Sequence, residues 1–406
     1  MTAEPPVMLD VSRLVSRIGT GPLTGIDRVE AAWLRHLAGR AHLLLCRIGR
    51  GQALLPAEDG PRILKWIGGD LSTLPARAGW RDAAGGRGSA SARARTALRR
   101  SALAVTRPSG RGLIRHVRHH LPGCVAYLNL GHSNLHRDLL NNLNGLRRVV
   151  MIHDTIPLDH PEFTRDGQSE KFRARFVSAL SLADLIVAIS DATADCIAHW
   201  QKRLAIPRQP EVIVARIGTD LAAPDEGQLP AGLDVTTPFF VTIGTIEPRK
   251  NHAVLLDAWE ILAQRLPADR MPRLFIIGRR GWSNEALFAR LDRLPSDSAV
   301  MECAGLSDAA VASLLSRCNG LLMPSRAEGF GLPLTEAAGR GVPILCTDLP
   351  SSRELLGPYP TYLSPDRPAQ WADSVATLCG IQPSRAQSLA IPDWKLHFKS
   401  IDNALS

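Results

Sequence analysis

The sequence predicts an α/β protein built from two parallel-sheet domains, and three observations point to it. From Phe239 onward, short apolar runs alternate with helical patterns. "FFVTIG" (239–244), "RLFIIG" (273–278), "GLLMPS" (320–325) and "VPILCTD" (342–348) read as buried strands, while "HAVLLDAWEILAQRL" (252–266) and "LSDAAVASLLSRC" (306–318) carry apolar residues at helical spacing. Such alternation makes a parallel sheet covered by helices on both faces. The chain's 406 residues exceed one ordinary core, because cores stop growing and split into domains of roughly 50–200 residues. A Pro/Gly-rich stretch, "DLAAPDEGQLPAGLDVTTP" (220–238), reads as the linker. The expected domains are therefore residues 1–230 and 231–385.

The first half repeats the pattern less regularly. "VAYLNLG" (125–131), "RVVMIHD" (148–154) and "DLIVAIS" (184–190) are short buried-strand patterns, with helices expected over "KFRARFVSALSLA" (171–183) and "DATADCIAHWQKRL" (191–204).

Composition excludes several classes. With 45% hydrophobic and 21% charged residues the chain is neither disordered nor fibrous. No run reaches the roughly 18 apolar residues that span a bilayer. The start "MTAEPPVMLD" lacks a basic stretch followed by an apolar one, so a cytoplasmic protein without a secretory signal is expected. Seven scattered cysteines, with no CxxC pair, suit reduced buried thiols better than disulfides or a zinc site.

Charge is unevenly placed. Residues 76–120 hold eleven arginines, no lysine and one acid, Asp82, so this segment carries 11 − 1 = +10 against +9 for the whole chain. It begins as a Gly/Ser/Ala stretch expected to be flexible and turns helix-compatible from Ala92 to Val105. An anionic membrane face or a lipid-pyrophosphate acceptor suits such a segment. The alternative is an arginine-rich surface insertion with no partner. Nucleic acid fits poorly, because no aromatic residue lies between Trp80 and Tyr127 to stack on bases.

In open parallel sheets ligands bind outside the carboxyl ends of the strands, where loops and helix starts meet. Chemistry-bearing residues fall at such ends here: "TIEPRKN" after 239–244, "RRGW" after 273–278, "RAEGFGLPLTE" after 320–325, and "HD" closing 148–152. If Pro333 takes the first helical position, Glu328 lies in the preceding loop and Glu336 in the first helical turn. Gly329 and Gly331 let backbone approach a ligand, and the helix start favours an anion such as a pyrophosphate. Two acids beside an anion site make sense when they accept from sugar hydroxyls. Arg249 and Lys250 would cover phosphate oxygens, the arginine as a fork and the lysine as a point charge. Taken singly, each loop also reads as an ordinary turn.

The ordered set "GTIEPRKNHAVLLDAW", "LFIIGRRGW", "AGLSDAAVASLLSRC" and "PSRAEGFGLPLTEAAGRGVPILCTDLPSSRELLG" resembles the nucleotide-sugar half of the retaining glycosyltransferases of family 4, with the GT-B fold. The likeness is strong over 239–357, and looser in "TGPLTGIDRVEAAWL", "VVMIHDTIPLDHPEF" and "ADLIVAISDATADCI". It implies two Rossmann-like domains facing a central cleft, a first domain for the acceptor, a second for the nucleotide sugar, and no metal or other cofactor. Residues 386–406 would hold the last helix, crossing back to the first domain.

Carried over residue by residue, the resemblance gives Arg249 and Lys250 the diphosphate, Glu336 the ribose hydroxyls and Glu328 the transferred sugar. The backbone N–H groups of Gly329, Phe330, Gly331 and Leu332 would surround sugar and phosphate, with Gly278 and Arg279 also on the donor side. His153 would lie over the donor sugar, with Asp154 orienting it or touching the acceptor. Gly21 and Gly25 would line the cleft, and Arg28 is a weaker match. The chain departs from the pattern where many members have Gly-Arg and it has Gly244-Thr245, which leaves phosphate work to Arg249 and Lys250. The variants at "GTIEPRKN" and "GRRGW" are most similar to bacterial mannosyltransferases of surface polysaccharide assembly. That favours GDP-mannose as donor; the family resemblance implies retention of configuration, and the Arg-rich insertion in the acceptor domain fits a peripheral enzyme working on a lipid-linked glycan at the inner membrane face. A nucleotide-sugar epimerase or hydrolase, and an idle sugar- or polyanion-binding subunit, are the competing readings.

Overall fold

The computed structural model describes residues 4–83, 86–282, 284–379 and 387–406. The chain packs into two units, residues 1–155, 170–217 and 394–406 forming one, and 156–169 with 218–393 the other. The division falls at 217/218 rather than at the 230/231 expected from the Pro/Gly run, and the expected boundary at 385/386 lies outside the described residues.

The first unit is an eight-stranded sheet of β1 (Val7–Asp10), β2 (His42–Ile48), β3 (Gly51–Pro56), β4 (Ala104–Thr106), β5 (Ala126–Asn129), β6 (Arg147–Ile152), β7 (Leu185–Ala188) and β8 (Glu211–Val214). Its order is β4-β3-β2-β1-β5-β6-β7-β8. β2, β1, β5, β6, β7 and β8 pair in parallel, whereas β2–β3 and β3–β4 are antiparallel. Sequence reasoning missed that antiparallel edge. The helix expected over 92–105 is Ala90–Ser101 instead. Ala102 turns extended, Leu103 N–H donates to the Leu54 carbonyl at 2.8 Å, and Val105 enters β4. Pairing with an open strand edge outweighs weak helix propensity at the β-branched end.

The arginine-rich segment is thus part of the first sheet and its covering helices. Its one acid, Asp82, is 1% exposed and clamped by Arg99 through two bonds of 2.7 and 2.9 Å. The C-terminal helix Trp394–Leu405 also belongs to this unit, where His397 accepts from the Trp33 indole at 3.0 Å and Phe398 stacks on His36 at 3.8 Å.

The second unit is a wholly parallel sheet of β9 (Phe239–Ile243), β10 (Arg273–Ile277), β11 (Val300–Cys303), β12 (Gly320–Met323), β13 (Ile344–Thr347) and β14 (Thr361–Leu363), in the order β11-β10-β9-β12-β13-β14. Alternate strand residues serve opposite faces. Phe240, Leu274, Ile276 and Leu322 pack into one core, and Phe239, Val241, Phe275 and Leu321 into the other. Continuous apolar strands are what two buried faces require. The segment after β6 packs here too, the Trp282 indole donating to the Phe163 carbonyl at 3.3 Å and Arg165 lying 4.9 Å over its ring. Among the described residues no helix is long and apolar enough to cross a membrane.

Burial of three histidines predicts an acid-sensitive fold. Burial pulls His153 down to about 4, His397 to about 4 and His252 to about 3. A histidine held neutral in the fold, but titrating near 6.5 when unfolded, leaves stability intact above pH 6.5 and lowers it as pH falls toward its folded value. Stability measured by denaturant at pH 7 and pH 5 is expected to be clearly lower at pH 5, and His397→Gln to flatten that slope; an equal slope in the variant would count against this cause.

Candidate functional site

In the second unit, two loops leave the carboxyl ends of β9 and β12 and are stitched together by backbone. Arg326 N–H donates to the Arg249 carbonyl at 2.8 Å, and the Arg249 guanidinium reaches the Ala327 carbonyl at 2.8 Å. This brings the predicted cations onto the predicted acid. Glu328 takes a 2.8 Å bond from Arg249 and a 2.5 Å bond from Lys250, with only 8% of its side chain exposed. Burial alone would push the Glu328 carboxyl up; the charges of Lys250 and Arg249 overturn that and hold it at about 2. Burial lowers Lys250, while Glu328 works against that.

Sequence reasoning missed one member. Glu247 is 3% exposed and holds the other side of Arg249 at 2.8 Å, so two carboxylates and two cations form one chain. The signal was present in "IEPRK", whose acid lies two residues before the arginine.

The strand ends approach closely. A Cβ on Gly278 would lie 1.9 Å from the Gly244 carbonyl oxygen, and one on Gly244 would lie 3.0 Å from Lys250 Cε. Arg279 is exposed at this end of β10, while its neighbour Arg280 turns to Glu302 and Asp292. Past Glu328, Gly331 adopts φ 91° and starts the helix Leu332–Gly339, placing Pro333 second rather than first. Glu336 is then the fifth residue, half-buried and beyond the first turn expected for it. Gly329 is half-buried and the Phe330 ring is buried, so only their backbone can meet a ligand in the expected way. A cavity of about 770 Å³ lined by Trp259, Arg273 and Val300 opens at the opposite end of this sheet and holds none of these residues.

In the first unit, His153 follows β6 and is 4% exposed. Its Nε2 donates to the Leu130 carbonyl at 2.6 Å, which fixes the tautomer and leaves Nδ1 as the acceptor nitrogen. His132 meets it edge-on at 5.2 Å and bonds to the Met151 carbonyl at 2.7 Å. The loop carrying His132 holds two left-handed non-glycine residues, His132 (φ 57°) and Asn134 (φ 58°). Such backbone persists where its surroundings over-determine it, and here they do. Asp10, at the end of β1, accepts from Tyr127 at 2.8 Å and Asn134 at 2.7 Å, and Asn134 pairs with Gln52. Glu30 lies directly under Gly131, where a Cβ would come within 2.1 Å of its carboxylate. This network was invisible in sequence because its members come from five separate segments. Asp154 is half-buried beside His153. Gly21 is exposed with φ 91°, and Gly25 opens the helix Gly25–His36, capped by Thr24 and Asp27. Arg28 is half-buried on that helix.

Close glycine contacts, a helix start and paired charges thus gather at the carboxyl end of a parallel α/β sheet, the end at which such sheets bind ligands. Residues 229–388 match the family model described as "Glycosyl transferases group 1", so the second unit carries a group 1 glycosyltransferase domain. The chain is 29% identical over 260 residues to the "Serotype-specific mannosyltransferase WbdA" of Escherichia coli, covering 60% of this chain and 32% of that protein. It is 28% identical over 222 residues to the "O-antigen chain mannosyltransferase B" of Escherichia coli, covering 52% and 55%. The chain therefore spans about a third and about half of these relatives. Sucrose-phosphate synthase from Thermosynechococcus elongatus superposes with a TM-score of 0.62 over 98% of both chains at 13% identity, which establishes the GT-B fold.

Proposed function

We propose that this chain is a retaining hexosyltransferase that moves mannose from GDP-mannose onto a lipid-linked surface glycan on the cytoplasmic side of the membrane. The observation that carries the reading is the buried chain Glu247–Arg249–Glu328–Lys250 at the ends of β9 and β12. Two cations held by acids at a glycine-lined strand edge suit a diphosphate leaving group, whose charge grows as the glycosidic bond breaks. In the bound state the diphosphate takes over part of the cation contact now made by Glu328, freeing that carboxylate for sugar hydroxyls. Glu336, on the next helix, is assigned the ribose. His153, with Nδ1 as acceptor, is assigned the sugar being transferred. This scheme calls for no divalent metal, because Arg249 and Lys250 supply the charge. The mannose assignment is supported by relatives named mannosyltransferases.

The test is to incubate the protein with GDP-mannose, UDP-glucose or UDP-GlcNAc, with and without a lipid-linked glycan, and follow nucleotide and product. Acceptor-dependent release of GDP is expected. Release without acceptor would mean hydrolysis, a changed sugar still on its nucleotide would mean epimerisation, and neither would leave a binding subunit.

A further inference from the structure

We infer that the arginine-lined tip of the β2–β3 hairpin, together with Trp80, is a docking surface for an anionic lipid bilayer. Backbone contacts gather the residues. The turn at Gly49 abuts the Arg81 carbonyl, where a Cβ would lie at 2.1 Å, and Gly51 abuts the Thr106 carbonyl at 2.7 Å. Ala78 N–H donates to the Arg87 carbonyl at 2.9 Å. Arg50 at the tip is thus flanked by Arg81 and Arg107, and Arg77 lies beside Arg87; all five are exposed.

None of these five has an ion-pair partner among the described residues. The acid nearest this patch, Asp82, whose carboxylate lies beside Gly49, is buried and already held by Arg99.

The second observation is apolar. Trp80 is 73% exposed with Arg81 5.0 Å over its ring, and Val105 of the edge strand is 47% exposed. An exposed indole among arginines is the composition of an interfacial anchor, the ring entering the headgroup layer while guanidinium groups meet phosphates. The tip lies at the carboxyl end of β2, the same edge of the sheet from which His153 emerges after β6. Three strand spacings separate them, roughly 15 Å. A docked membrane would therefore present headgroup-linked chains along the edge that carries His153.

Bare vesicles test the surface independently of glycosyl transfer, since they hold no acceptor. The full chain is expected to float with vesicles of phosphatidylethanolamine and phosphatidylglycerol, at least tenfold more than with phosphatidylcholine, and to be released by high salt. The combined change Arg50→Glu, Arg81→Glu and Arg107→Glu should weaken binding on the order of a hundredfold. Trp80→Ala should remove the blue shift of tryptophan emission on vesicle addition. Thermal midpoints equal to wild type establish that the variants are folded. Equal binding to neutral vesicles, undiminished binding by the folded triple variant, or tighter binding to an RNA oligomer than to anionic vesicles would each overturn the inference.

Discussion

Glu328→Gln is expected to lower kcat/KM for sugar transfer by roughly two to three orders of magnitude and to destabilise the second unit by about 3 kcal/mol. Glutamine keeps the shape of the side chain but removes the charge on which both Lys250 and Arg249 close. Burial already lowers Lys250, so removing its nearest anion favours the neutral amine and weakens the phosphate contact further. The two effects separate experimentally. Denaturant titration reads the loss of the buried pair, and it should appear whatever the reaction is. A GDP-mannose titration with the transfer assay reads the site. A variant that unfolds like wild type and transfers within twofold of it would refute both the coupling and the role.

Gly278→Ala is expected to cost at least about 3 kcal/mol and to abolish donor binding. The added methyl would lie 1.9 Å from the Gly244 carbonyl oxygen and 2.7 Å from its carbon. Neither atom can swing away as a side chain would. The ends of β9 and β10 must part, against the Gly244 N–H bond to Ile277 and the Ile246 N–H bond to Arg279, both 2.9 Å. Lys250 Cε packs over Gly244, so the displacement reaches the cation directly. Denaturant unfolding checks the first effect and nucleotide-sugar titration the second. Stability within 1 kcal/mol of wild type would mean that the strand ends yield more easily than their contacts imply.

Legibility in the sequence followed locality. The four central strands of the second sheet, β9, β10, β12 and β13, were readable because they are buried on both faces and read as apolar runs, whereas the edge strands β11 and β14, part-exposed and mixed in sequence, were not. Arg249, Lys250 and Glu328 were readable for the same reason, since they lie next to such strands. β4 was not readable: it is three residues long and its pairing with β3 comes from a segment about fifty residues earlier. Asp10 was not singled out in the sequence, because the groups it accepts from, Tyr127 and Asn134, are brought to it by topology alone. The placing of Pro333 second in its helix depended on whether Gly331 would take a left-handed turn, which local sequence permits without requiring.

The helix Trp394–Leu405 gives the first unit a discontinuous order of assembly. Its His397 completes the hydrogen bond of Trp33 and also bonds the Ala215 carbonyl at 3.1 Å, so the contacts span nearly the whole chain. A ribosome adding about 5–20 residues per second needs on the order of ten seconds or more to make the intervening second unit. During that interval the Trp33 face of the nascent protein has no covering helix, and a chaperone or a neighbouring nascent chain can reach it. Completion of the first unit is therefore timed by translation of the second.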